Sequence, residues 1–233
     1  MSNEVNVPSQ SGSTINSSNG YNPGGLSPEN KKILCTAICK CEKSPNIGKT
    51  GNQLKQSCVS SALNQLDKIL YNRSTIKPEI NYDMTQTLSA PIMSRGNPLS
   101  GTEYLPNRVI DNPGFTPNSG MVRRPDVVIV KDQTQPPVQE NIKNVVEIKF
   151  PGDSYTEKQQ LAYEKIAGDP NKVSTLSPCD CDCDQNDKER KAAEDKAKQV
   201  GTALTLVEIL LIILSGGKFV PSRGGVVPGL API

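Results

Sequence analysis

Two short runs of β-branched residues, separated by a turn, constrain the fold of this chain more than any other feature. Residues 127–130 read VVIV and residues 145–150 read VVEIKF. Runs of this kind are typical of buried strands. The segment between them carries Pro136 and Pro137 and has to turn. We therefore predict an antiparallel hairpin whose second strand covers residues 145–150.

Helical patterns lie on both sides of this hairpin. We predict helices over residues 31–41, 57–72, 155–168, 186–199 and 202–214. The apolar face of the second should comprise Val59, Leu63, Leu66, Ile69 and Leu70, and the third should pack through Leu161, Ile166 and Ala167. Residues 74–120 are interrupted by Pro and Gly and give no clear strand pattern.

The run Ala203–Leu214 is the most apolar part of the chain, yet it is shorter than the roughly 20 residues that span a bilayer. Glu208 also interrupts it. We predict a buried helix there and no membrane partner. Residues 1–20 are polar, without the basic start and apolar run of an export signal.

The absence of histidine excludes several kinds of active site. A chain with no His cannot form a Ser-His-Asp triad, a Cys-His pair or an HExxH zinc site. With no Trp and three Phe, a single-strand binding module built on stacked bases is disfavoured. The net charge of +2 does not indicate a nucleic-acid partner, although a local basic patch can still bind one.

Three charged residues of the hairpin form a candidate catalytic centre. Residues two apart on a strand share a face, so Glu147 and Lys149 should be neighbours. If Asp126 occupies the matching position of the first strand, two carboxylates and one ammonium converge. Carboxylates bind Mg²⁺ or Mn²⁺, and such an ion promotes phosphodiester hydrolysis. The competing interpretation is a solvated outer face of the hairpin.

The following helix adds Gln159 and Tyr163, which lie four residues apart and so share a helical face. The alternative for this pair is a polar helix surface with a half-buried tyrosine. A tight Pro151-Gly152 turn connects the helix to the second strand. The pair can therefore lie close to the three charged residues.

The segments RRPDVVI (123–129), VEIKFPGD (146–153) and QQLAY (159–163) together resemble the VRR-NUC family of PD-(D/E)xK nucleases. The resemblance covers roughly residues 120–168. It implies an α/β fold, a restriction-endonuclease-like core with a central mixed sheet flanked by helices, here with irregular Cys-bearing extensions. It also implies that Asp126 and Glu147 hold Mg²⁺ or Mn²⁺, that Lys149 lies beside the scissile phosphate of DNA, and that Gln159 and Tyr163 orient the substrate.

The family usually has a further glutamate on an early helix that completes the metal site. The predicted helix 57–72 offers only Asp67, while Glu79 and Glu103 lie in irregular sequence. The sequence does not choose among these three acids.

More narrowly, the chain resembles VRR-NUC domains that act as antibacterial effectors of the type VI secretion system. Its polar N-terminus, its Cys-bearing lead-in and its Pro-rich insertion carry this resemblance. It implies synthesis in a bacterial cytoplasm, secretion without a signal peptide through a secretion-apparatus component, and action on DNA in the target-cell cytoplasm. It also implies a cognate immunity protein.

The seven cysteines fall into two clusters and one single position. The spacings C-x3-C-x-C and C-x-C-x-C do not match common zinc ribbons. A structural Zn²⁺ joining the clusters, disulfides and free thiols all remain open, and an odd count leaves at least one thiol unpaired. The residues concerned are Cys35, Cys39, Cys41, Cys58, Cys179, Cys181 and Cys183.

The expected organisation has four parts. Residues 1–30 form a disordered tail or linker, residues 31–119 a helical and Pro-rich lead-in, residues 120–170 the nuclease core motifs, and residues 171–233 a Cys-rich turn with C-terminal helices packing on the core. The leading hypothesis is a metal-dependent DNA endonuclease with a toxin role. The alternatives are a structure-selective DNA-repair nuclease and a non-catalytic binding module stabilised by metal.

Overall fold

The computed structural model describes residues 25–45, 54–199 and 205–216. Most of the predicted tail at 1–30, and all residues beyond Gly216, lie outside the described residues. The helices are α1 (Pro28–Cys41), α2 (Leu54–Ile69), α3 (Asn107–Ile110), α4 (Glu157–Ala167), α5 (Cys183–Gln199) and α6 (Leu206–Leu214). The strands are β1 (Ile76–Pro78), β2 (Tyr82–Asp83), β3 (Ala90–Pro91), β4 (Met93–Ser94), β5 (Asn97–Gly101), β6 (Val122–Arg123), β7 (Val127–Val130), β8 (Ile142–Ile148) and β9 (Val173–Leu176).

The central sheet has the order β1-β7-β8-β9. Its first two pairings are antiparallel and the last is parallel, so the sheet is mixed. The predicted hairpin is confirmed, with Val127 opposite Val146. The predicted bounds of its second strand were wrong, because β8 begins at Ile142 and ends at Ile148. Beyond Ile148, the Lys149 amide still donates to the Leu176 carbonyl at 2.8 Å, and the Phe150 amide then leaves the sheet and donates to the Asp153 side chain at 3.0 Å.

The two faces of the sheet bury different sets of side chains, because successive residues of a strand point to opposite faces. Val127, Val146 and Ile148 pack in one cluster with helices α1, α2 and α6. Val128 and Val145 pack in a second cluster with Tyr163 and Ile166 of α4. The predicted central mixed sheet flanked by helices is therefore confirmed.

Helix α1 begins three residues earlier than predicted. The Ser27 side chain accepts a hydrogen bond from the backbone amide of Asn30, and Pro28 occupies the first turn. Both features favour a helix start at this point.

Two predicted apolar positions were wrong. Ile69 is 43% exposed and Leu161 is 57% exposed. Helix α2 ends at Ile69, and Tyr71 and Asn72 then adopt positive φ angles that turn the chain away. Leu161 lies two residues before the buried Tyr163, about 200° around the helix, and therefore on its outer face.

The region 74–120 contains short strands where the sequence showed no clear pattern. Strand β1 forms one edge of the central sheet, while β2, β3 and β6 form one small sheet and β4 and β5 another. These strands are two to five residues long. Strands this short have too few residues for a recognisable alternation.

Helix α6 buries Val207, Ile209, Leu210 and Leu211, which confirms the predicted buried helix. Glu208, which interrupts the apolar run, accepts from the Thr205 backbone amide while the Thr205 side chain accepts from the Glu208 amide. This reciprocal cap starts the helix. Within the part of the chain that is described, no helix is long and apolar enough to span a membrane.

Six of the cysteines form disulfides, which is one of the open alternatives for them. The pairs are Cys35–Cys181, Cys39–Cys183 and Cys41–Cys58, and Cys179 is an exposed free thiol. Two bridges tie α1 to the start of α5, and the third ties α1 to α2. Sulfurs joined in this way offer no thiolates to Zn²⁺.

Candidate functional site

Three acidic residues lie in a row across one end of the central sheet. Pro78 lies opposite Val127, and Val127 lies opposite Val146. Extending each antiparallel register by one residue places Glu79 opposite Asp126 and Asp126 opposite Glu147. The backbone amide of Glu79 donates to the carbonyl of Asp126 at 3.0 Å, which holds Glu79 opposite Asp126.

The structure brings Asp126, Glu147 and Lys149 together as predicted. The Asp126 Oδ2 atom accepts from the backbone amide of Ile148 at 2.7 Å. The Lys149 Nζ atom lies 2.7 Å from Glu147 Oε1. Lys149 follows β8, but its amide still donates to the Leu176 carbonyl at 2.8 Å, so the extended backbone keeps Glu147 and Lys149 on one face.

Helix α4 delivers the two predicted supporting residues to the same place. The Gln159 Nε2 atom donates to Glu147 Oε1 at 2.6 Å and to the Tyr163 hydroxyl at 3.0 Å. The Tyr163 hydroxyl in turn donates to the carbonyl of Arg124 at 3.3 Å. Burial and the nearby Glu147 carboxylate raise the pKa of Tyr163, so this phenol stays neutral.

Burial raises the pKa of Asp126 to about 7, and the negative charge of Glu147 adds to the effect. The Ile148 amide and the Lys149 ammonium oppose this rise in pKa. Asp126 is therefore partly protonated near neutral pH. A nearby cation would release that proton.

Asp126, Glu147 and Lys149 line an open pocket of about 480 Å³. Its walls carry four carboxyl groups, from Glu79, Asp126, Glu147 and Asp153, and two cationic groups, from Arg124 and Lys149. With every group ionised, the pocket therefore has an excess of two negative charges.

One oxygen in the pocket wall is suited to bind a cation. Glu147 is 4% exposed, and its Oε2 atom is buried without a hydrogen-bond partner. A buried acceptor left unpaired is costly, and a hard divalent ion would satisfy it. Within the described ranges, no group of three His, Cys, Asp or Glu side chains converges as a metal ligand set. Asp126 and Glu147 adjoin this unpaired oxygen and are the candidate carboxylate ligands.

Of the three candidate upstream acids, Glu79 is the one that lines the pocket. Its Oε1 atom accepts from Ser60 Oγ at 2.9 Å and lies 3.9 Å from Arg124. Asp67 forms a buried ion pair with Lys77 at 3.0 Å, and Glu103 is exposed. The early helix does reach the pocket, but through Gln56 and Ser57.

Sequence reasoning left Glu79 as one of three candidates and missed several other residues of this site. Arg124 and Asp153 line the pocket, and both lie inside the segments that carried the family resemblance. Lys149 lies over the ring of Tyr155, 5.5 Å from its centroid, and burial raises the pKa of Tyr155 to about 12. The sequence around Gln56 gives no indication of its contact with Ile148, which lies 92 residues further along the chain.

No match was found among curated proteins, and none among solved structures. Residues 117–177 match the family described as the VRR-NUC domain. This segment contains Asp126, Glu147, Lys149, Gln159 and Tyr163, and the match supports a nuclease family for this chain.

Proposed function

We propose that this protein is a metal-dependent DNA endonuclease that hydrolyses phosphodiester bonds at the Asp126–Glu147–Lys149 centre. The unpaired Glu147 Oε2 atom beside Asp126 carries the proposal. This buried acceptor lies beside Asp126, a carboxyl group whose pKa is raised, and Mg²⁺ or Mn²⁺ would suit both groups.

The charge of the pocket supports the need for a metal ion. Four carboxyl groups face two cationic groups there, so an approaching phosphodiester would be repelled. A divalent ion held by Asp126 and Glu147 would neutralise this excess, polarise the phosphate and activate a water molecule. Lys149, paired with Glu147, would present positive charge to the phosphate as charge develops in the transition state.

The supporting residues hold this centre in place. Gln159 and Lys149 both hold the Oε1 atom of Glu147, so the carboxylate has a fixed orientation. Tyr163 is neutral and bridges Gln159 to the carbonyl of Arg124, and Arg124 offers a guanidinium at the pocket wall for a phosphate of DNA.

We propose further that the nuclease is an antibacterial toxin, as the resemblance to type VI secretion effectors implies. In this proposal the protein is made in a bacterial cytoplasm, is exported with a secretion-apparatus component, and is neutralised in the producing cell by an immunity protein. The resemblance alone carries this second proposal. The three disulfides do not choose between a toxin and a DNA-repair nuclease, because the producing and the target cytoplasm are both reducing.

Plasmid cleavage by the purified, oxidised protein tests the nuclease proposal. We expect nicking or degradation with Mg²⁺ or Mn²⁺, none with EDTA, and at least a hundredfold lower rate for Glu147→Gln, which keeps the side-chain shape and removes the charge. Cleavage that survives EDTA, or that Glu147→Gln leaves unchanged, would refute this site. The toxin role is tested separately, by growth arrest on expression in bacteria and its dependence on Glu147.

A further inference from the structure

Four hydrogen bonds fix the backbone on both sides of Lys149. The Ile148 amide donates to Asp126 Oδ2 at 2.7 Å, and the Lys149 amide donates to the Leu176 carbonyl at 2.8 Å. The Phe150 amide donates to Asp153 Oδ2 at 3.0 Å. The Ile148 carbonyl accepts from Gln56 Nε2 at 2.7 Å. Gln56 is thus the one partner in this set that comes from a helix on the other face of the sheet.

Gln56 also supports the Asp153 contact. Its Nε2 atom lies 3.2 Å from Asp153 Oδ2, so one amide group donates both of its hydrogens, to a backbone carbonyl and to a carboxylate. Asp153 then holds the Phe150 amide. A single side chain therefore anchors the peptide that precedes Lys149 and, through Asp153, the one that follows it.

The position of Gln56 is itself fixed. It lies in the first turn of α2, two residues before Cys58, which is bridged to Cys41 of α1. The same helix buries Val59 and Leu63 against the sheet. The donor is therefore held by a rigid element and not by a loop.

We infer that Gln56 is a positioning residue for the proposed hydrolysis, which holds the backbone around Lys149 so that Lys149 and Glu147 keep their places in the pocket. This inference rests on the proposed nuclease function. Gln56 acts through the backbone and needs no contact with substrate. Small displacements of catalytic groups lower turnover far more than they lower substrate binding.

The test compares Gln56→Met with Asn64→Leu in the full, oxidised chain. Methionine keeps the length of the side chain and removes both donors. Asn64 lies on the same helix and donates only to the Ser60 carbonyl of its own helix, at 2.9 Å, so it is a matched control. Gln56→Asn, one methylene shorter, replaces Gln56→Met if the latter does not fold.

Two readouts are measured well below the melting temperature. In DNA cleavage, we expect Gln56→Met to lower kcat by about tenfold and to leave KM within about twofold, with no change for Asn64→Leu. In amide hydrogen exchange by NMR, we expect the Lys149 and Phe150 amides to exchange at least about tenfold faster in Gln56→Met only.

Unchanged kcat in folded Gln56→Met, or an equal loss in Asn64→Leu, would overturn the inference. The exchange measurement does not need activity. If the wild-type protein cuts no DNA, the nuclease proposal fails, while unchanged Lys149 and Phe150 exchange would separately overturn the role of Gln56.

Discussion

The raised pKa of Asp126 predicts that this residue destabilises the metal-free protein at neutral pH. Its carboxyl group titrates near 7 in place of 3.8. Each tenfold change in proton affinity is worth about 1.4 kcal/mol, so ionising Asp126 in the folded state costs roughly 4 kcal/mol. Asp126→Asn cannot ionise, and its amide oxygen can still accept from the Ile148 amide. The substitution should therefore stabilise the metal-free protein at pH 8.

The direction with pH follows from proton linkage. Below pH 4, both the folded and the unfolded chain hold the Asp126 proton, and its ionisation costs nothing. Between pH 4 and 7 the unfolded chain releases the proton while the folded chain keeps it, so stability falls as pH rises. Above pH 7 both forms are ionised and the loss stays constant. The wild-type protein should thus lose roughly 4 kcal/mol relative to Asp126→Asn between pH 4 and 8.

Urea denaturation followed by circular dichroism, in EDTA at pH 4, 5.5 and 8, measures this difference. Asp132→Asn is the control, because Asp132 is an exposed turn residue whose pKa is lowered by hydrogen bonds from Thr134. That variant should retain the wild-type loss of stability between pH 4 and 8. If the wild-type and Asp126→Asn stabilities change in parallel with pH, the assigned environment of Asp126 is wrong.

Three further predictions follow from the same contacts. Mn²⁺ at a hundred times its dissociation constant should raise the stability of the wild-type protein at pH 8 by about 2.7 kcal/mol, and calorimetry should show no such gain for Asp126→Asn. Lys149→Met should lower kcat for plasmid cleavage by at least about a hundredfold without lowering the melting temperature by more than a few degrees; near wild-type turnover would remove Lys149 from the mechanism. Reducing the three disulfides should lower the melting temperature by at least about 10 °C, since even the bridge with the shortest separation, 17 residues, is worth about 3 kcal/mol; an equal melting temperature with and without dithiothreitol would contradict this.

The hairpin and its charged residues could be predicted because their signals are local. VVIV and VVEI are buried strands whose side chains alternate, so the placement of Asp126, Glu147 and Lys149 followed from strand geometry. The Gln159 and Tyr163 pair followed from helical spacing. Each of these steps needs only a few neighbouring residues.

The residues that the sequence could not choose or did not indicate depend on long-range contacts. Glu79 reaches the pocket because the three-residue strand β1 pairs with β7, and a strand this short has no periodic signal. Gln56 reaches Ile148 because α2 packs against the far face of the sheet. The disulfide pairs could not be chosen either, since cysteine spacing alone does not determine connectivity.

These long-range contacts show why the matched segment is not a self-sufficient site. Residues 117–177 supply β7, β8, α4 and β9, and with them the carboxylate pair and Lys149. Other parts of the site come from outside that segment. The edge strand β1, which leads to Glu79, and the Gln56 donor precede it. The helices that cover one face of the sheet, α1, α2 and α6, lie before and after it. The disulfides join α1 to α2 and to the segment Cys181–Cys183 at the start of α5, across up to 146 residues of sequence. The matched segment is therefore packed against its flanking segments, which position the backbone of the candidate site as directly as the segment itself does.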